Sequence, residues 1–219
     1  MTASELLLPI GSAGVRLVLA RHGQTPSNVR KVMDTLPPGP GLTEAGRSQA
    51  EGLAERLSAE KVVSIHASRA VRAQETAEPL ARRHGIPVDV VDGIHEVRVG
   101  ELEGSGDAAA RRQFEDVYAS WHAGRIDEPM PGGETGRQAL TRFLAATGEL
   151  LSDVTAGTVV MVSHGAILRL VAGHLAADVD STRANSAFLP NAGIIVLEPA
   201  ETATGWRHVQ WEGLGNLRL

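Results

Sequence analysis

Apolar residues in this chain fall into two recurring arrangements: short unbroken runs, and longer stretches where they return every third or fourth position. The first pattern predicts strands buried on both faces, the second helices with one face against a core. Runs of the first kind occupy 15–20 (VRLVLA), 62–67 (VVSIHA), 88–91 (VDVV) and 158–163 (TVVMVS), with 191–197 (NAGIIVL) and 206–211 (WRHVQW) as two closing strands. Helices are expected over 44–59, where Ala50, Leu53 and Leu57 share a face, and over 69–84, 105–130 and 166–177. Another long helix follows the turn Pro131-Gly132-Gly133-Glu134-Thr135, with Leu140, Phe143, Leu144, Leu150 and Leu151 on its apolar side.

The breaks agree with this division. Prolines and glycines over 33–41 (MDTLPPGPG) exclude a helix there, Thr43 reads as an N-cap, and Gly85-Ile86-Pro87 closes one helix and opens a strand. Strands alternating with helices predict an α/β fold, a three-layer sandwich with a mainly parallel central sheet flanked by helices. On the 105–130 helix, Phe114, Tyr118 and Trp121 form an aromatic stripe that serves either the core or the wall of a pocket.

Composition narrows the function classes. In 219 residues, 21 Lys+Arg stand against 26 Asp+Glu, and no basic run marks a nucleic-acid or membrane surface. An anionic ligand therefore needs a local basic pocket. There is no cysteine, which removes disulfides, thiol catalysis and thiolate metal sites together. The first 14 residues lack the basic start and long apolar core of a signal peptide and read as a flexible leader, and no run approaches the roughly 18 apolar residues of a membrane span. A cytoplasmic protein is expected, and exposed edge strands would allow a homodimer.

The chemistry gathers where two strands end. The first runs into Arg21-His22-Gly23, and the fourth into His164-Gly165. Ligands of open α/β sheets bind beyond the carboxyl ends of the strands, so parallel strands ending this way would set two imidazoles side by side. Arg72, one turn into the helix after the second strand, is placed to point back over the same edge. The loop 94–104 carries several carboxylates between glycines, one of which could donate a proton to a leaving alkoxide.

In this order the residues resemble the histidine phosphatase superfamily, also called the phosphoglycerate-mutase-like family. The likeness is carried by Arg21-His22-Gly23-Gln24-Thr25 with Asn28, by Gly41-Leu42-Thr43-Glu44-Ala45-Gly46, and by Ser68 with Arg72-Ala73 and Thr76-Ala77. It continues through Glu96, Gly100 and Glu103-Gly104, then Pro131-Gly132-Gly133-Glu134, and ends at Ser163-His164-Gly165. The resemblance implies a single domain over 15–219, with 105–130 as a helical lid-like insert.

It also implies roles. His22 would be the nucleophile that takes up a phosphoryl group, oriented by a backbone carbonyl such as that of Gly23. Arg21, Arg72 and His164 would surround the phosphoryl oxygens, and Glu96 would be the proton donor. Gly23, Thr25, Asn28 and Gly165 would line the substrate site. A small phosphorylated metabolite is the implied partner, with no metal, no cofactor, no nucleic acid and no membrane. This sequence departs from the family in having Ala67-Ser68 where a serine pair is usual, a long proline-rich loop over 32–41, and a 105–130 segment shorter than the lid of the true mutases. The short insert, and an end that reads as a strand rather than a long basic tail, favour a phosphatase over a phosphoglycerate mutase. An inactive phospho-ligand binder should lack His22 or Glu96, and both are present.

Overall fold

The structure, a computed structural model, describes Leu8 and residues 14–214. Most of the expected leader lies outside the described residues; Leu8 is buried in the core.

Six strands form one sheet in the order β3-β2-β4-β1-β5-β6, with β1 Val15–Arg21, β2 Val62–Ser68, β3 Val88–Val91, β4 Gly157–Ser163, β5 Ile194–Pro199 and β6 Trp206–Trp211. The first four are parallel; β5 and β6 are antiparallel. The unbroken apolar runs are explained by burial on both sides. Leu17 and Leu19 of β1, with Val159 and Met161 of β4, belong to one core; Val18, Ala20, Val160 and Val162 belong to the other.

Each core is closed by its own helices. α2 (Glu44–Arg56) and α3 (Val71–His84) supply Leu53, Ala54, Ala73, Ala77 and Leu80 to the smaller one. α4 (Ala108–His122), α5 (Gly136–Leu151) and α6 (Gly165–Leu175) cover the opposite face with Tyr118, Trp121, Leu140, Phe143 and Ile167. Three layers result. Burying one such leucine or phenylalanine contributes roughly 1.5–3 kcal/mol, so the sheet face rather than helix propensity holds these elements in place.

Several elements differ from the expectation. The first long helix ends at Arg56 rather than residue 59. α3 starts at Val71, because Ala70 is its extended N-cap and gives its N–H to Ser68 Oγ at 3.3 Å; Arg69 is therefore an exposed turn residue, facing Asp92 at 3.6 Å. The helix expected over 105–130 is only Ala108–His122, capped by Asp107, whose carboxylate accepts from Ala110 N at 2.8 Å. Trp121 Nε1 then donates to the carbonyl of Glu128 at 2.7 Å, turning the following chain back on the helix. The closing strand begins at Ile194, which leaves Asn191 in a turn.

Two short helices have too few residues to show a periodic pattern. They are α1 (Pro26–Arg30) and α7 (Ser181–Ser186). Among the described residues no helix is long and apolar enough to cross a membrane.

Candidate active site

Strand register brings the chemistry together. Arg21 pairs with Ser163 across the parallel β1–β4 ladder, so His22 and His164 each follow the last matched residue of neighbouring strands. Their ring centroids are 5.2 Å apart at 61°. On the other side of β4, Ala67 pairs with Val162, and Ser68 Oγ lies 2.7 Å from His164 Nε2. The two imidazoles thus owe their proximity to the sheet.

His22 is buried, and its Nδ1 lies 2.7 Å from the carbonyl oxygen of Gly23. A carbonyl only accepts, so Nδ1 carries the proton and the lone pair of the neutral ring sits on Nε2. Burial holds the His22 pKa well below 6.5, and the charges of Arg72 and then Arg21 push the same way against the bond to Gly23. His164 is likewise held well below 6.5, first by burial and then by Arg72 and His22. Both rings are neutral near pH 7.

The glycines act by letting neighbours close in. A Cβ on Gly23 would meet the Gly46 carbonyl oxygen at 2.6 Å, so α2 can approach the loop that bears His22 only if residue 23 has no side chain. The Gly23 N–H is taken by Thr76 Oγ1 at 2.9 Å, which leaves it no backbone donor for a ligand. Gly165 has the same kind of role: a Cβ there would come within 3.1 Å of Arg21 Nε.

Arg21 and Arg72 converge from β1 and α3. Arg21 Nη1 donates to the carbonyl of Leu189 at 2.6 Å, and Arg72 Nη2 donates to that of Asp34 at 3.0 Å. Burial lowers both pKa values from the usual arginine value, opposed by Glu96 at Arg21 and by Asp34 and then Glu96 at Arg72. Three buried polar atoms, Arg21 Nε, Arg72 Nη1 and His164 Nδ1, have no hydrogen-bond partner among the described residues. Buried groups of this kind are normally satisfied, so three of them around one histidine mark the place of an acceptor-rich ligand.

Glu96 comes from the loop after β3. Its Oε1 accepts from Val97 N and Ile167 N at 2.9 Å each, and its Oε2 from Ala166 N at 3.1 Å. The carboxylate therefore sits on the first turn of α6, where backbone N–H groups and the helix dipole favour it.

Thr25 and Asn28 form a capping box at the start of α1, Thr25 Oγ1 accepting from Asn28 N at 3.2 Å and Asn28 Oδ1 from Thr25 N at 3.1 Å. A cavity of about 140 Å³ is lined by Arg21, His22, Thr25, Asn28, Arg72, Glu96, His164 and Gly165. Of the nine residues to which the resemblance gives a catalytic or substrate-binding role, Gly23 alone is absent from the lining. A separate cavity of about 550 Å³, bordered by Arg98, Glu103, Gln138 and Arg142, holds neither histidine.

Sequence reasoning missed three supports. Asn191 Nδ2 donates to the His22 carbonyl at 3.1 Å and to Asn28 Oδ1 at 3.0 Å, which turns the Asn28 Nδ2 away from its own cap. Arg142 pairs with buried Glu134 at 2.6 Å and donates to the carbonyls of Gly93, His95 and Glu96, clamping the loop that carries the carboxylate. Thr35 donates to Glu103 through both its N–H and its hydroxyl, at 2.8 and 2.5 Å. Glu134 and Glu103 were visible as motif letters, whereas nothing local pointed to Asn191. Among the described residues no group of three His, Asp or Glu is placed to hold a metal ion.

Residues 17–212 match the model of the histidine phosphatase superfamily (branch 1). The PE-PGRS family protein PE_PGRS11 of Mycobacterium tuberculosis is 30% identical over 222 residues, a match covering 93% of this chain but only 38% of that protein. A 2,3-bisphosphoglycerate-dependent phosphoglycerate mutase of Nitrobacter winogradskyi is 33% identical over 160 residues, covering 70% of this chain and 77% of the mutase. The solved structure of a mycobacterial glucosyl-3-phosphoglycerate phosphatase in complex with VO3 superposes with a TM-score of 0.76 at 27% identity, covering 90% and 98% of the two chains.

Proposed function

This chain belongs to branch 1 of the histidine phosphatase superfamily, and from that premise we propose that it is a metal-independent phosphomonoester hydrolase working through a phosphohistidine on His22. The observation that carries this reading is the trio of buried atoms without a hydrogen bond, Arg21 Nε, Arg72 Nη1 (3.9 Å from Asp34 Oδ1) and His164 Nδ1, around a histidine whose Nε2 holds a free lone pair. A phosphoryl group offers enough oxygens to satisfy all three, and two guanidinium groups supply the positive charge that phosphoryl transfer requires.

His22 Nε2 attacks phosphorus as the bond to the alcohol oxygen breaks, and Glu96 gives that oxygen a proton. Water then attacks phosphorus, Glu96 takes back a proton, and the bond to Nε2 breaks to release inorganic phosphate. The hydrogen bonds support one oxygen of Glu96 for this task. Oε1 already accepts two N–H groups and Oε2 only one, so Oε2 is the oxygen with the freer lone pairs to hand the proton over and take it back. With the His164 proton on Nδ1, toward the phosphoryl oxygens, Nε2 is the acceptor for the Ser68 hydroxyl 2.7 Å away, while Ser68 Oγ receives the Ala70 N–H. Asn28 adds a further donor.

The mutase reading uses the same residues. A mutase must shield its phosphohistidine from water while an intermediate reorients, and α4 buries Tyr118 and Trp121 in the core and brings only Phe114 of the stripe to the pocket that holds His22. That supports hydrolysis over isomerisation. The test is an assay in EDTA with an aryl phosphate and with 3-phosphoglycerate, the latter with and without 2,3-bisphosphoglycerate. Net phosphate release in the absence of bisphosphate is expected; isomerisation that needs the bisphosphate and releases no phosphate would overturn the reading.

A further inference from the structure

The catalytic pocket continues into a second, larger cavity of about 770 Å³, and Arg21, Val32, Met33 and Phe114 line both. The walls there are aromatic and aliphatic, and the rim is cationic.

Phe188 is the unusual residue. It is 68% exposed, yet its neighbours Ala187 and Leu189 are each 1% exposed. The loop that bears it is fastened from below, since Arg169 Nη1 donates to the carbonyls of Asn185 and Ala187 at 3.1 and 2.9 Å, and Arg21 donates to that of Leu189. A fixed backbone thus holds an aromatic ring in solvent, 5.7 Å from the Arg21 guanidinium. Phe114, half-buried and stacked on Tyr118 at 5.5 Å, contributes another aromatic wall where the two cavities meet.

The charges are uneven. Arg21, Lys31, Arg111 and Arg169 line the outer cavity against Glu115 and Asp116. Arg21 and Arg169 are committed to backbone carbonyls. Lys31, held at a left-handed φ of 57° at the end of α1, and Arg111 on α4 make no side-chain hydrogen bond or ion pair among the described residues, although Asp107 lies within electrostatic range of Arg111.

We propose that the outer cavity binds the alcohol portion of the substrate, and that the preferred ester is one of a bulky alcohol with an aromatic body bearing a carboxylate. Phe188 and Phe114 take the ring, and Arg111 with Lys31 attracts the carboxylate. The assignment rests on the hydrolase reading. Of the basic residues on the 105–130 segment, Arg111 alone lines this space; Arg112 is exposed and Arg125 faces Glu128 at 3.4 Å.

The experiment compares kcat/KM for phenyl phosphate, 4-carboxyphenyl phosphate and glycerol 3-phosphate in the intact protein, in Phe188→Ala and in Lys31→Ala/Arg111→Ala. The wild type should favour 4-carboxyphenyl phosphate over both others. Phe188→Ala should lower the ratio of aryl ester to glycerol ester by about tenfold, the size of a lost ring contact. The double variant should lower the ratio of carboxylated to plain aryl ester by about fivefold, as for a partly exposed ion pair, and the effect should shrink in salt. If Phe188 only braces Arg21, all three esters fall together and the ratios stay put, which overturns the proposal. Ratios unchanged in both variants overturn it as well, with the hydrolase reading intact. No turnover of any ester would instead remove the hydrolase reading, and this assignment with it.

Discussion

The inner pocket and the outer cavity share four lining residues but are built in opposite ways. His22 and His164 sit one position past the ends of central strands, and each inner residue is tied by hydrogen bonds to backbone or to another element: His22 to Gly23, His164 to Ser68, Glu96 to the start of α6, Asn28 to Asn191. Outer residues come from α4, the end of α1 and the loop after α7, and Lys31, Arg111 and Phe188 end in solvent. The inner region is preorganised for one charge distribution. The outer region is free to suit one alcohol or another, so rate should depend on the first and selectivity on the second.

The sharpest way to break this contrast is to remove the nucleophile. His22→Ala should reduce kcat/KM by about 10⁴-fold or more for every ester, as removal of a nucleophile does elsewhere, without altering preference among residual activities. A variant of the outer cavity with an equal loss on all esters would erase the distinction. A second test is aimed at the clamp. Glu134→Ala leaves the Arg142 charge without its carboxylate and should destabilise the fold by about 3–5 kcal/mol in urea unfolding.

Next in size comes acid. His22, His95 and His164 are buried in or beside the inner region with lowered pKa values, His95 to about 4 through burial and then Arg142 and Arg98, and the outer cavity has no histidine. Folded pKa values below the unfolded 6.5 mean that the unfolded chain binds more protons between the two, so stability rises with pH across that window. Unfolding free energy should be at its full value above about pH 6.5 and fall steadily toward pH 4. A flat profile there would mean that these rings are not held neutral. The smallest effect is expected from Asn191→Ala, which removes the bonds orienting Asn28 and the His22 carbonyl. A loss of about tenfold in kcat/KM, the worth of one hydrogen bond, should appear with little change in ester preference.

The same contrast explains what could be seen in the sequence. Buried strands advertise themselves, because residues such as Leu17 to Ala20 must be apolar on both faces, and the polar letters that interrupt them at Arg21-His22 and His164 are then conspicuous. The role foreseen for the Gly23 carbonyl follows from adjacency alone. Glycine 23 itself was read as a substrate contact, yet its N–H belongs to Thr76, a partner 53 positions away. Asn191 and Arg142 act across 169 and 46 positions respectively, on His22 and Glu96, and no local pattern encodes such a reach. The aromatic stripe divided for a similar reason: Tyr118 and Trp121 went to the core, and Phe114 to the junction of the cavities. Helix periodicity identifies a face without saying what lies opposite it.

The central claim is that the phosphoryl group passes through His22, and the most direct measurement is rapid acid-free quenching of intact protein mixed with an aryl phosphate, followed by mass analysis of the phosphorylated peptide. The account predicts an acid-labile phosphate on His22 that forms and decays at rates compatible with turnover and is missing from His22→Ala. Full turnover with no phosphorylated His22, or the same label surviving in His22→Ala, would contradict it.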